Sequence, residues 1–179
     1  MKNLTKFFAI AVVILGFSAT SFGQNSANAT STAKLVAALS ISGGNVLNFG
    51  YIIPGGGGSV TLPGVVSAVR SSTLVLPGGT VTAAAFTITG TTGSDYTVTL
   101  PSNGTVTVAH SDTPTDVMEV NNFSCDVTTP GTSATGITAN GTLASGTRTF
   151  YVGATLTVGA SDPIGTYTSA TFPVTVVYQ

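Results

Sequence analysis

Residues 165–179 alternate. Ala170, Phe172, Val174, Val176 and Tyr178 share one parity, and Ser169, Thr171 and Thr175 share the other. A two-residue period marks a strand with one face buried. Pro173 lies inside the run. Proline has no N–H to give a ladder, so the strand is expected at a sheet edge or with a bulge. The sequence stops one residue after Tyr178, so that edge reads as uncovered. An apolar strand with an open flank invites pairing with another chain.

The rest of the chain is written in the same style. Phe150, Val152, Ala154, Leu156 and Val158 alternate along 147–158, a long strand. Shorter strands are expected at 46–53, with Phe49 and Tyr51 on one face, and at 59–62, 65–70, 73–76, 80–89, 95–100, 105–109, 117–127 and 137–143. Gly43-Gly44, Pro63-Gly64, Pro77-Gly78-Gly79 and Ser145-Gly146 punctuate them. The Pro54–Ser59 glycine run lacks the Gly-Lys-Ser/Thr of a phosphate loop and reads as a connection. Asn103-Gly104 predicts a hairpin between 95–100 and 105–109, and 128–136 reads as loop. Short strands at regular spacing with no helical period mean an all-β sandwich or barrel. No fixed repeat appears, which argues against a solenoid or propeller.

At the other end, 1–23 reads as a secretory signal peptide. Lys2 and Lys6 precede the apolar run 7–17, and Ser21-Phe22-Gly23 supplies a small-residue cleavage site. That run is short for a membrane span, which needs about 20 residues. The mature chain then starts at Gln24. No cysteine follows the leader to carry a lipid anchor. Cys125 is the single cysteine, so no internal disulfide forms, and it reads as a buried apolar residue. Ala27, Ala29, Ala33, Leu35, Ala37, Leu39 and Ile41 hold one parity. One reading splits this run into a free arm (24–34) and a domain (35–179) whose first strand is 35–42. A single long first strand, or a short helix over 33–39, reads the residues equally well.

Charge excludes more than it suggests. Charged residues are 6% of the chain, against about 25% in an ordinary domain. Weak mutual repulsion favours self-association. Beyond the leader, Lys34, Arg70 and Arg148 face Asp95, Asp112, Asp116, Glu119, Asp126 and Asp162, for a net −3. No basic patch exists to hold a nucleic-acid backbone.

No catalytic constellation emerges, and no cofactor motif. His110-Ser111-Asp112 are adjacent, whereas a relay needs residues brought together by the fold. One histidine and one distant cysteine do not make a zinc site. Asp112, Asp116, Glu119 and Asp126 offer oxygens that calcium accepts, but their spacing fits no calcium loop and solvated loop charge explains them. No motif supports a paired-carboxylate glycosidase, and the chain has no Trp to form a sugar platform.

Several stretches together resemble a known family. They are Leu47-Asn48-Phe49-Gly50 with Ile53-Pro54-Gly55, Val81-Thr82-Ala83-Ala84-Ala85-Phe86, Tyr96-Thr97-Val98-Thr99-Leu100-Pro101, and Val152-Gly153-Ala154-Thr155-Leu156-Thr157-Val158-Gly159. Gly165-Thr166-Tyr167 and Val174-Thr175-Val176-Val177-Tyr178 complete the set. They resemble, in order and over nearly all of the mature chain, the bacterial secreted domain-of-unknown-function family 4402. More distantly they are similar to spore coat U proteins and archaic chaperone–usher pilins. The resemblance implies an immunoglobulin-like, pilin-like antiparallel sandwich. In such pilins a missing strand is supplied by a neighbour's N-terminal arm. They usually carry a cysteine pair, where this chain has only Cys125.

The expected function is a non-catalytic, exported structural subunit of a surface fibre, in the periplasm or on the outer surface of a bacterium. Its expected partners are itself, head to tail, and a periplasmic chaperone and usher; it is not an integral membrane protein. Ala27, Ala29, Ala33 and Leu35 would be the inserted side chains, and Phe172, Val174, Val176 and Tyr178 the receiving edge. The alternative is a self-sufficient secreted immunoglobulin-like domain that binds a surface or matrix ligand.

Overall fold

In a computed structural model of the chain, residues 26–169 and 171–179 are described. The leader, its cleavage site and Ala170 lie outside them. The described residues contain strands and no helix. In order these are β1 (Ser40–Gly43), β2 (Tyr51–Ile53), β3 (Gly58–Leu62), β4 (Ser71–Ser72), β5 (Val75–Gly78), β6 (Ala84–Thr89) and β7 (Asp95–Thr99). They continue as β8 (Val106–His110), β9 (Val117–Thr129), β10 (Thr132–Thr135), β11 (Thr138–Thr142), β12 (Thr147–Val158), β13 (Tyr167–Thr168) and β14 (Thr175–Tyr178). The chain divides between Leu35 and Val36 into two units. The first shows no strand among its described residues, and the second is the sandwich.

Every pairing is antiparallel. The larger sheet runs β1-β6-β12-β9-β8-β13, with β3 and β4 beside β12 and β10 beside β9. The smaller runs β11-β7-β14, and β2-β5 form a ribbon. Each strand of the smaller sheet is reached by a crossover, since β6 and β8 flank β7 in sequence and both belong to the larger sheet. The two sheets pack as a sandwich. Tyr96 and Val98 from β7 and Phe150, Val152 and Ala154 from β12 are fully buried in one core. Alternation makes this possible, because every second residue of a strand faces the same layer.

Strand β12 matches the range read from its alternation, and all five of its expected core residues are buried. Other elements differ, each for a local reason. The first strand starts at Ser40, not Leu35, and Leu35 is 92% exposed. A run of one parity does not tell a strand from an unpaired segment. No helix forms over 33–39. Phe49 is 9% exposed but Tyr51 is 70% exposed, so they do not share a face. Between them Gly50 adopts a φ of 70°, which breaks the alternation; a Cβ there would also lie 2.8 Å from the Gly78 carbonyl. Residues 65–70 form no strand. Residues 132–135 do form one, β10, in the stretch read as loop.

The Asn103-Gly104 turn joins no hairpin. β7 pairs with β11 and β14, while β8 pairs with β9 and β13. The turn instead carries the chain between sheets. Gly104 N–H donates to Asn121 Oδ1 (2.7 Å), and Asn122 N–H donates to Asn103 Oδ1 (2.8 Å), which fasten it to β9.

Candidate interaction site at the open edge of the sandwich

The closing strand is an edge strand, and its register shows what it leaves open. Thr175 faces Thr99, Val176 faces Val98, Val177 faces Thr97 and Tyr178 faces Tyr96. Gln179 N–H donates to the Asp95 carbonyl (3.1 Å), which sets the phase of the ladder. Bonded and non-bonded pairs alternate in an antiparallel ladder. Thr175, Val177 and Gln179 therefore turn their N–H and C=O groups toward β7, and Val176 and Tyr178 turn theirs outward. Among the described residues of the sandwich, no main-chain hydrogen bond reaches that outer flank.

Pro173 ends this strand from the inside. Extending the register by two residues sets Pro173 opposite Pro101. Neither has an N–H, so the ladder stops at Thr175. The missing donor lies on the β7 side, not on the open flank. The outer amides of β14 are left unmodified by it.

The other lip of the opening is β1, the edge of the larger sheet, which comes close to β14. Gly44 N–H donates to the Ala85 carbonyl (2.8 Å). By the same phase rule Ser40 and Ser42 face β6, and Ile41 and Gly43 face outward. Between the lips runs a partly buried apolar row: Leu39 and Ile41 on one side, and Phe172, Val174, Val176 and Tyr178 on the other, all packed on the core. Phe172 anchors the row, its ring 5.4 Å from that of Phe123 and 6.3 Å from that of Phe86. Val177 points away and is 57% exposed.

One end of the opening is tied. Tyr178 Oη donates to the Ala37 carbonyl (3.0 Å) and accepts from Thr91 N–H (2.8 Å), while Ala37 N–H donates to Thr91 Oγ1 (2.7 Å). Gly90 lies under this knot, where a Cβ would come within 2.9 Å of Leu39 Cδ1. Thr91 and Gly90 were not legible as site residues, because nearly half of the chain separates them from Tyr178. Ala27, Ala29, Ala33 and Leu35 are exposed residues of the first unit, in a segment that forms no strand.

The other candidates resolve into structural roles. His110 is buried at the end of β8. Its Nδ1 accepts from Thr113 N–H (3.1 Å) and Asp112 N–H (3.2 Å), and its Nε2 lies 3.4 Å from the Ile164 carbonyl. The ring stacks edge-on against Tyr167, with centroids 5.0 Å apart. Asp112 thus meets the imidazole through its backbone, which orders a turn. Asp126 leaves the acidic group altogether. It is buried, and its carboxylate accepts from Tyr151 N–H (2.8 Å) and Gly131 N–H (3.2 Å). Among the described residues, no three His, Cys, Asp or Glu side chains gather to hold a metal ion. Cys125 is buried, and burial pushes its thiol pKa up, with the Asp126 charge adding to the rise and a hydrogen bond to the Val127 backbone opposing it. No helix among the described residues is long and apolar enough to cross a membrane.

A family model described as a domain of unknown function, DUF4402, matches residues 39–178. No curated protein and no solved structure matches the chain.

Proposed function

From the premise that this chain belongs to the DUF4402 family, we propose that it is a non-catalytic structural subunit, exported and joined to other copies by β-strand addition. The observation that carries this reading is the outer flank of β14. Val176 and Tyr178 present N–H and C=O groups there with no main-chain partner in the sandwich, beside a half-buried apolar row. Strand addition uses those two things: main-chain bonds for affinity, and pockets for alternate side chains. The segment with Ala27, Ala29, Ala33 and Leu35 has a matching two-residue period and is exposed. A segment from one copy entering the edge of the next makes a head-to-tail contact, which grows a filament rather than closing. Such a subunit needs its edge shielded before assembly, which is the work of a periplasmic chaperone and usher.

The test compares the purified protein with a variant lacking residues 27–34. The full protein should form polymers that survive detergent without heating, and the deletion should remain unassembled yet accept a synthetic 27–35 peptide. A full-length protein that stays monomeric at high concentration and unfolds cooperatively at high temperature would overturn the proposal. One observation favours the second reading, a self-sufficient ligand-binding domain: the Tyr178 knot already draws Ala37 of the same chain to one end of the opening.

A further inference from the structure

The tripeptide Asn-Gly-Thr occurs twice in the chain, at residues 103–105 and 140–142. An asparagine followed by glycine is prone to lose its side-chain amide, because glycine carries no side chain to keep its own nitrogen from the asparagine Cγ. The attack needs that nitrogen free of hydrogen bonds and a backbone that is not held extended. Identical tripeptides share the same intrinsic chemistry. A difference between them in the native protein therefore comes from the fold.

Asn140 lies within β11, where Asn140 faces Thr97 and Gly141 faces Tyr96. The Leu100 and Leu143 N–H groups donate to the Ile137 (2.7 Å) and Ser94 (2.9 Å) carbonyls. Those two bonds fix the phase of the ladder, so Gly141 exchanges both of its main-chain bonds with Tyr96. Its nitrogen is released only when β11 leaves the sheet. Asn140 Oδ1 also accepts from Thr97 Oγ1 (2.9 Å).

Asn103 sits instead in an exposed turn, and Gly104 beside it is exposed with a φ of 75°. The Gly104 N–H has a side-chain partner, Asn121 Oδ1 (2.7 Å), which is aimed by Asn121 Nδ2 donating to Glu119 Oε2 (2.9 Å). The Asn103 amide leans on Asn122: its Oδ1 accepts from the Asn122 N–H (2.8 Å) and its Nδ2 donates to Asn122 Oδ1 (3.3 Å). The reacting atoms are thus restrained by side-chain hydrogen bonds at the surface. Bonds of that kind open locally, without unfolding of the sandwich.

We propose that Asn103 is a site of spontaneous deamidation in the folded protein, with Asn121 as the residue that restrains it and Asn140 as its protected twin. When the bond to Asn121 opens, the Gly104 nitrogen attacks Asn103 Cγ. The new C–N bond forms as the bond to Nδ2 breaks, and Nδ2 leaves as ammonia with the former Gly104 amide proton. Solvent water then opens the succinimide ring at either carbonyl, giving aspartate or isoaspartate. One water is consumed, one ammonia is released, and nothing is oxidised or reduced. Each product adds a carboxylate to a chain in which charged residues are only 6%. Aspartate has no N–H for Asn122 Oδ1, and isoaspartate also routes the main chain through the Asn103 Cβ. Both loosen the turn from β9 where Asn122 holds a left-handed φ of 50°. The proposal stands apart from assembly at β14.

The test is incubation of the purified protein in mildly alkaline buffer, native and in guanidinium, with each Asn-Gly peptide then read by mass spectrometry. In guanidinium the two sites should convert at the same rate. In the native protein Asn103 should convert at least tenfold faster than Asn140, since the latter waits for a paired strand to open. Asn121→Ala should speed conversion at Asn103 about fivefold, the factor one such hydrogen bond supplies, and leave Asn140 unchanged. Asn121→Asp keeps an acceptor and should hold Asn103 near its original rate. Should Asn121→Ala fail to fold, the ratio of the two sites in the unaltered protein decides alone. Equal native rates at the two sites, or no conversion at Asn103 while the unfolded chain converts both, would overturn the proposal. Aspartate without isoaspartate would overturn the succinimide route.

Discussion

Strands β12 and β14 obey the same two-residue pattern, yet they sit in opposite circumstances. β12 has neighbours along both flanks: β6 and β3 on one, β9 on the other. Its inward residues from Phe150 to Val158 are buried. β14 has β7 on one flank, and its inward residues are only partly buried. The comparison shows that alternation encodes a buried face but says nothing about flanks. A strand's function can lie in the direction its side chains do not report. Here the interior strand holds the fold, and the edge strand keeps two residues' backbone groups available.

Substitutions should separate these roles. The largest effect is expected at Gly153 of β12. A Cβ there would lie 2.0 Å from the Leu62 carbonyl oxygen and 2.5 Å from Gly64 N, both backbone. Gly153→Ala should therefore cost about 3 kcal/mol or more by overpacking, read by chemical denaturation. On β14 a pair of prolines makes the contrast sharper. Val177→Pro removes an N–H that faces β7 and strands its acceptor, at a cost of about 2 kcal/mol. Val176→Pro removes an outward N–H, a position where edge strands tolerate proline. It should cost only about 1 kcal/mol, from lost apolar burial, yet it should block polymer formation. Equal losses of stability from the two prolines would contradict the register argument.

Smaller effects test the knot and the core. Tyr178→Phe removes the hydroxyl's bonds to Ala37 and Thr91, and should cost about 1 kcal/mol. It should also speed exchange of the Ala37 amide. Burial raises the Cys125 pKa above its ordinary 9.0. Its thiol therefore stays protonated in the fold when the unfolded chain has begun to ionise. That stabilising difference is complete below pH 9 and is lost as pH rises from there toward the folded-state pKa. Melting temperature should decline in that alkaline window, and Cys125→Ala should flatten the decline. Alkylation of Cys125 in the native protein should proceed at the rate of unfolding.

Much of the sandwich was legible because burial imposes parity. Phe150 through Val158 state the β12 core face directly, and Val174, Val176 and Tyr178 state that of β14. Partner choice was not legible. Asn103-Gly104 specifies a turn, and only the tertiary fold decides that the strands it joins enter different sheets. The polar strand β10 buries too little to leave a pattern; its partner β9 supplies the ladder. The shared face assigned to Phe49 and Tyr51 failed at one glycine, where a left-handed φ reset the phase. Pro173 correctly signalled an edge strand, but its register opposite Pro101 required the pairing.

The claim at the centre is that the outer flank of β14 is unpaired in a single molecule and paired in the assembly. Amide hydrogen exchange, resolved residue by residue and measured in dilute protein and in polymer, tests it directly. In dilute protein Val177 and Gln179 should be protected, while Val176 and Tyr178 exchange close to the rate of an unstructured chain. In the polymer all four should be protected. Strong protection of Val176 and Tyr178 in the dilute monomer would show the flank already closed by its own chain, and would contradict the account.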